Sequence, residues 1–314
     1  MQLLRKLWAK AAGLAAVAAV LTLACAAASP QAGNVTLPEN ATMKVSDHVH
    51  VIMGFPNIGI VVGNRATLVV DTGLGPHNGA IAAREAAKLS KNPNQILYLT
   101  TTHYHPEHAS GEAGFPPGTI LVRNSAQQKE IETDGMNMVK RFSENAQMRD
   151  LLMPVTGFRT PDIVFDKEAT IDLGGVSARL FWLGTAHTLG DELIYVAPDR
   201  TLLPGDIVMN KVLPNLPSAT ARLDNWIRIL GQLRSLQIAH IVPDHNALGD
   251  ASILEQEYAL LSALQARALE LKRQGKSADD AGQMLLAEFK MKFPDWPNLA
   301  GIPNLVRRVY TENP

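Results

Sequence analysis

Residues 95–110, QILYLTTTHYHPEHAS, set an apolar run of the length and character of a buried strand directly against a cluster of ligand-type side chains. The cluster places His103, His105, Glu107 and His108 within six positions and uses three of the chain's nine histidines. In extended backbone, residues i and i+2 share a face, so His103 and His105 can reach a single ion at the strand end. Helical zinc ligands would instead stand four apart. Pro106 ends regular strand pairing. Glu107 and His108 follow in a turn, where neighbours can diverge towards a second ion. A catalytic zinc site takes about three protein ligands and a water. Four candidates are too many for one such site and about half of what a pair of ions would use.

The missing half is expected later in the chain, again at strand ends. His187 lies in LGTAHTLGD after the apolar run ARLFWL, Asp206 lies in LLPGDIV, and His245 lies in HIVPDHN. Each stands beside glycine or proline where a short apolar run stops. Singly, such a histidine reads as hydrogen-bonded structure and such an aspartate as a turn former. As an ordered set they read as ligands. Cys25 is the only cysteine and precedes the folded part, so a metal there must be held by imidazole and carboxylate.

This order resembles the metallo-β-lactamase-fold hydrolase superfamily over residues 45–250. The shared pattern is a His-x-His-x-acid-His motif after a strand, a distant histidine, an aspartate after glycine, and a last histidine. VVDTGLG (69–75) is similar to the family's early strand and turn, and AHTLGDELIYVAPDRTLLPGDIVMN to its second half. The resemblance implies an α/β chain folded as a four-layer αβ/βα sandwich with extra C-terminal helices, its metal site at one edge between two sheets. Carried over by position, it implies that His103, His105 and His187 bind a first zinc and that Glu107, His108 and His245 bind a second. Asp206 would bridge the two, and Asp71 would orient a ligand imidazole or metal-bound water. The implied activity is hydrolysis of a small-molecule substrate: a hydroxide shared by the metals attacks a carbonyl, while Glu107 and Asp206 hold the nucleophile and manage its proton.

Two departures from the family pattern bear on the site. The motif's usual aspartate is Glu107 here, one methylene longer. Either the second site persists with altered affinity and metal preference, or Glu107 swings away and leaves one zinc or iron with a general base. A degenerate site is the third outcome. The last motif, commonly Pro-Gly-His-Gly, is PDHN (243–246), which loses both glycines and puts Asp244 beside His245, either to orient an imidazole or to face water. The bridging acid looks like the thioesterase and lactonase branches, hence an ester, lactone or thioester hydrolase. The alternatives are a β-lactamase, a mononuclear iron enzyme that oxidises sulfur, and a metal-binding protein without turnover.

The formal charge of −1 gives no basic face, so nucleic acid is not an expected partner. Residues 1–28 are expected to be a signal peptide, with Arg5, Lys6 and Lys10 followed by an apolar run and then small residues. That run falls short of the about 20 residues a membrane span needs. Cys25 closes LTLAC, which loosely resembles a lipobox, but AAAS just downstream offers an ordinary cleavage site. The expected product is therefore periplasmic or exported and freely soluble, the alternative being a lipoprotein whose one membrane attachment is a lipid anchor at Cys25. Residues 29–44 read as a flexible lead-in, 45–250 as the catalytic domain, and 251–314 as a helical extension that packs on the core or supports a homodimer. Strands are expected around 49–53, 58–62, 67–70, 95–101, 119–122, 163–173, 178–183, 192–196, 201–203 and 240–245. Helices are expected over 77–90, 125–152 and 222–236. Met136, Met138, Met148 and Met153 either line an apolar entrance or pack on the sandwich. His48, His50, His77 and His240 read as surface or structural residues.

Overall fold

The computed structural model describes residues 35–216 and 220–312. The expected signal peptide, Cys25 and the start of the lead-in lie outside the described residues. The first sheet contains β1 (Thr42–Lys44), β2 (Val49–Ile52), β3 (Ile58–Val62), β4 (Ala66–Val70), β5 (Ile96–Thr100), β6 (Ile120–Asn124) and β7 (Ile163–Phe165), in that spatial order. Strands β1 to β4 form an antiparallel meander, and β4 to β7 run parallel. Parallel neighbours need a crossover connection; α1 (Gly75–Leu89) supplies the one between β4 and β5. The second sheet is built from β8 (Glu168–Asp172), β9 (Ser177–Trp182), β10 (Glu192–Val196), β11 (Thr201–Leu203) and β12 (His240–Ile241), ordered β12-β11-β10-β9-β8.

Strand alternation sorts the side chains into layers. Leu68 and Val70 of β4 share a core with Ile194 and Val196 of β10, whereas Val69, between them in sequence, packs with Ile81 and Ala82 of α1. In β10, Leu193 and Tyr195 turn the other way. They meet a helical layer that includes α6 (Leu223–Leu233), α7 (Ala251–Arg273), α8 (Ala278–Lys292) and α9 (Ile302–Glu312). The result is helix, sheet, sheet, helix, the four layers expected. Both faces of each sheet are covered, which is why β3, β4 and β10 are buried at every position. Burying each large apolar side chain fully contributes about 1.5–3 kcal/mol. The extension after residue 250 is therefore the outer wall of the second sheet.

Four expectations change. The strand block 163–173 is two strands in different sheets, because the chain crosses at the exposed pair Asp166 and Lys167. The long helix over 125–152 is broken into α3 (Ser125–Glu130), a π turn (Ile131–Gly135), α4 (Met136–Phe142) and α5 (Ala146–Leu152), with α2 being a single turn earlier, Pro106–Ala109. Asn124 and Asn145 cap α3 and α5 by accepting from the backbone N–H of Gln127 and Gln147. The described part of the lead-in is tied down: Leu37 is buried and donates its N–H to Asn78 Oδ1, and β1 adds an edge strand. Finally, β12 stops at Ile241, leaving Asp244 and His245 in a loop.

Candidate metal centre

Strands β4, β5, β9, β11 and β12 each lead at their C-terminal end into a loop that carries an expected site residue. After β5 the chain bends over residues 102–105, His105 itself being extended, and Pro106 opens α2 at the position where its fixed φ suits a helix start. Glu107 and His108 stand at consecutive positions of that one helical turn. Asp71, directly after β4, has a φ of 69°, a region that non-glycine residues adopt at a cost. From there its carboxylate accepts from Thr102 N–H at 2.6 Å and from Thr102 Oγ1 at 3.0 Å, tying the end of β4 to the end of β5. Gly205 has a φ of 62°, and a Cβ there would lie 2.9 Å from Thr102 Cβ. Only glycine lets the turn carrying Asp206 approach this closely.

Two donors on one tetrahedral ion, each bound at 2.0–2.2 Å, lie about 3.4 Å apart. His103 Nε2 and His105 Nδ1 are 2.9 Å apart, and His105 Nδ1 and His187 Nε2 are 3.2 Å apart. Glu107 Oε1 lies 3.8 Å from His108 Nε2. Asp206 presents Oδ2 to His187 Nε2 at 3.5 Å and Oδ1 to His245 Nε2 at 3.3 Å. The donor atoms of His103, His105 and His187 form one group, those of Glu107, His108 and His245 another, each within 4.8 Å, and Asp206 groups with His103 and His108. All seven expected ligand residues are thus brought together, and Asp71 stands behind them with Oδ2 3.0 Å from His108 Nδ1.

Two further contributors were not legible in the sequence. Asp244 turns inward: its Oδ2 accepts from Thr102 Oγ1 at 2.8 Å and lies 3.2 Å from His108 Nδ1. His108 Nδ1 therefore faces two buried carboxylates. The backbone oxygen of Asn215 lies 2.7 Å from His187 Nδ1, which leaves Nε2 directed at the cluster. Asp244 had one weak signal, its adjacency to His245; a backbone carbonyl had none.

Burial, reinforced by neighbouring imidazoles, holds His103 and His105 well below the ordinary histidine pKa. Burial likewise lowers His187, with Asp206 in partial opposition. These three are neutral, the form that donates a lone pair. Burial acts the same way on His108, but Asp71, Asp244 and Glu107 outweigh it and raise that imidazole well above its usual value. A cation binding there displaces the proton. Burial pushes Glu107 up to about 7, and burial next to Asp71 pushes Asp244 up to about 8. At Asp206 burial is overcome by His245, His108 and His187, which hold its carboxyl below the ordinary range.

Glu107 Oε2, His108 Nε2 and Asp206 Oδ1 are buried without a hydrogen-bond partner; Asp206 Oδ1 is within ion-pair reach of His245 but is not aligned to bond it. Buried polar atoms are otherwise almost always paired. Clustered orphans of imidazole and carboxylate type fit divalent cations.

The family model of the metallo-beta-lactamase superfamily matches residues 51–245. The chain belongs to that superfamily. Its fold is similar to the inverting sec-alkylsulfatase Pisa1 from Pseudomonas sp., with a TM-score of 0.65 and 14% identity over 87% of this chain and 50% of the sulfatase. The metallo-beta-lactamase from Pontibacter korlensis aligns with a TM-score of 0.54 and 22% identity over 70% of this chain and 98% of its own. The DIM-1 metallo-beta-lactamase aligns with a TM-score of 0.55 and 16% identity over 72% and 99%. These likenesses are of fold, and the chain spans about half the length of the sulfatase. No curated protein matches the sequence.

A cavity of about 260 Å³ opens over the candidate ligands. Its floor includes His105, Glu107 and His245, and its walls are Phe55, Met138, Phe142, Met209 and Leu213. Among the described lining residues there is no lysine or arginine. Of the four methionines singled out in the sequence, Met138 lines this cavity, whereas Met136 and Met153 are exposed. A larger groove of about 750 Å³ adjoins it, between residues 211–216 and α9, and contains none of the ligand residues.

Proposed function

We propose that the protein is a zinc-dependent hydrolase of small, uncharged esters, lactones or thioesters, with a site for two ions. The observation that carries this reading is Asp206, whose two oxygens face His187 and His245, one from each ligand group. His103, His105 and His187 would hold one ion, Glu107, His108 and His245 the other, and Asp206 both. Zinc suits a donor set of imidazole and carboxylate without thiolate. Bound zinc acts as a Lewis acid and lowers the pKa of water from 15.7 to about 7, on the order of 12 kcal/mol at about 1.36 kcal/mol per unit.

The chain's own residues would do the rest. Asp206, kept ionised by its histidines, accepts a hydrogen bond from the attacking water and orients it. Glu107 turns Oε1 towards His108, while Oε2, without a partner, takes the water's proton and returns it to the leaving group. No serine or cysteine nucleophile is needed. The apolar walls suit a hydrocarbon acyl or alkoxy group, and the cavity is below the roughly 300 Å³ at which drug-sized sites begin. A sulfate or a lactam carboxylate would find no lysine or arginine on the described lining of this cavity and would meet them only in the adjoining groove, which Lys211, Arg307 and Arg308 line. The apolar walls directly over the ligands support an ester, lactone or thioester over the sulfate chemistry named for the Pseudomonas enzyme. The charged, apolar and small-residue sequence of the first 28 residues supports export to the periplasm.

The test is a substrate panel of aryl esters, lactones, thioesters, β-lactams and secondary alkyl sulfates, with metal content measured on the same sample. Two zinc ions per chain with turnover of neutral esters is the expected result. One iron per chain, or turnover confined to sulfates or lactams, overturns the reading. Silence across the whole panel would favour a metal-binding protein without turnover.

A further inference from the structure

The buried face of α7 consists of Ile253, Leu254, Glu257, Leu260, Leu261, Leu264, Ala268 and Leu271. Every member except Glu257 is apolar, and Glu257 occupies a position that the three- and four-residue spacing of the stripe assigns to packing. Its side chain has no exposed surface. Oε2 accepts from the backbone N–H of Met209 at 2.9 Å, and Oε1 is buried without a partner. A carboxyl group in such a place is costly, and a leucine would pack there without that cost.

What it holds is the segment that presents Asp206. The 3-10 turn Gly205–Ile207 carries the aspartate, and Met209 follows it and lines the cavity. The same segment is tied a second time, by Trp226 of α6, whose indole N–H donates to the backbone oxygen of Ile207 at 2.9 Å. The Trp226 ring also meets the His187 ring edge-on, with centroids 5.7 Å apart. Two helices of the outer layer thus both bond the short stretch on which the shared carboxylate sits.

We propose that Glu257 is a positioning residue of the metal centre: with Trp226 it fixes the turn that presents Asp206, so that α7, outside the segment matched to the family, is a working part of the site. This rests on the two-ion reading above. Each ion would have three ligands of its own and share Asp206. The first set is three imidazoles with donors 2.9 and 3.2 Å apart, whereas in the second Glu107 Oε1 stands 3.8 Å from His108 Nε2, so the second ion depends more on a correctly placed Asp206. A loosened turn should therefore weaken the second ion selectively.

The test compares Glu257→Met with Glu257→Gln, which keeps an oxygen for the Met209 N–H. Burial raises the Glu257 pKa well above its ordinary value, so glutamine is a close mimic of the group present. In metal-free protein, backbone amide exchange across residues 205–209 should rise in the methionine variant and not in the glutamine variant. In chelator competition, the methionine variant should lose about 10- to 100-fold in affinity for the second zinc, the usual effect of removing a group that supports a ligand. Its first zinc should be retained, and glutamine should restore the second. Unchanged exchange at 205–209, or loss of both ions in equal proportion, overturns the proposal. If Glu257→Met does not fold, Trp226→Phe removes the other tether alone and must show the same selective loss; if it does not, the proposal fails. Wild-type protein that takes up no second ion would refute the two-ion reading, and exchange at 205–209 would still decide the role of Glu257.

Discussion

Replacing Glu107 by aspartate restores the residue usual in the family pattern, and in this chain it should damage the second ion site. Glu107 Oε1 is 3.8 Å from His108 Nε2, close to the about 3.4 Å that two donors on one zinc require. Removing a methylene withdraws the carboxylate by about 1.5 Å, one carbon–carbon bond, so the separation could open to roughly 5.3 Å. The backbone is poorly placed to follow. Within α2, His108 N–H and Ala109 N–H both donate to His105 O at 3.0 Å. Thr72 donates its N–H at 2.9 Å and its hydroxyl at 2.8 Å to His108 O. Losing a supporting group beyond the ligands typically costs 10- to 100-fold in metal affinity, so a displaced ligand should cost at least about 100-fold, or about 2.7 kcal/mol. Chelator competition with zinc, read alongside ester hydrolysis at limiting zinc, measures this. An aspartate variant that binds the second ion as tightly as wild type, or turns over faster, refutes the reasoning.

Asp244→Asn should keep an acceptor for the Thr102 hydroxyl but remove one of the two carboxyl groups facing His108, lowering second-ion affinity by about 10-fold. Asp71→Asn should cost more, because Asp71 also accepts the Thr102 N–H at 2.6 Å; equal effects in chelator competition would contradict this ranking. Stability of the metal-free protein should fall as pH rises from about 5 to 8. Burial raises Glu192 to about 8 against hydrogen bonds from Thr100 and Asn124, so the folded state keeps a proton that the unfolded chain releases. Its contribution is complete below the ordinary carboxylate range and is lost on the way up to about 8, with a slope of at most about 1.4 kcal/mol per pH unit. Denaturant unfolding of Glu192→Gln across that range should show a flatter dependence, and an unchanged slope would count against it.

The ligands were legible because their chemistry is scarce: a histidine beside glycine or proline after an apolar run has few reasons to recur in this order. The layers were legible for a related reason, since Leu68–Val70 in β4 and Leu193–Val196 in β10 are apolar runs that suit sheets covered on both faces. What escaped depends on where the chain goes in three dimensions. Residues 163–165 and 168–172 look alike as strand formers, and nothing local marks Asp166 and Lys167 as a passage from one sheet to the other. Leu37 read as part of a polar lead-in because its partner Asn78 lies 41 positions away. Asp244 could equally have faced water; only the convergence of Thr102 and His108 on one point turns it inward. Glu257 sits in a helix that reads as simple amphipathic packing, and its purpose becomes visible only against Met209.

The distribution of ligands over the two sheets carries one more consequence. His103 and His105 follow a strand of the first sheet and His187 a strand of the second; Glu107 and His108 follow the first and His245 the second. Each ion would therefore join the two sheets, and Asp206, from the second, would join the ions. Without them the same edge holds buried donors with no partners, a local cost borne at a seam whose direct links include the Glu192 backbone N–H to the Thr102 oxygen at 2.7 Å and the Glu192 carboxylate to Thr100. Free energy released on binding ions across this seam is thereby also free energy of sheet association. A site placed on one sheet alone would have no such coupling. The strand ends that make this edge a place for chemistry are the same ones whose separation the ions would oppose.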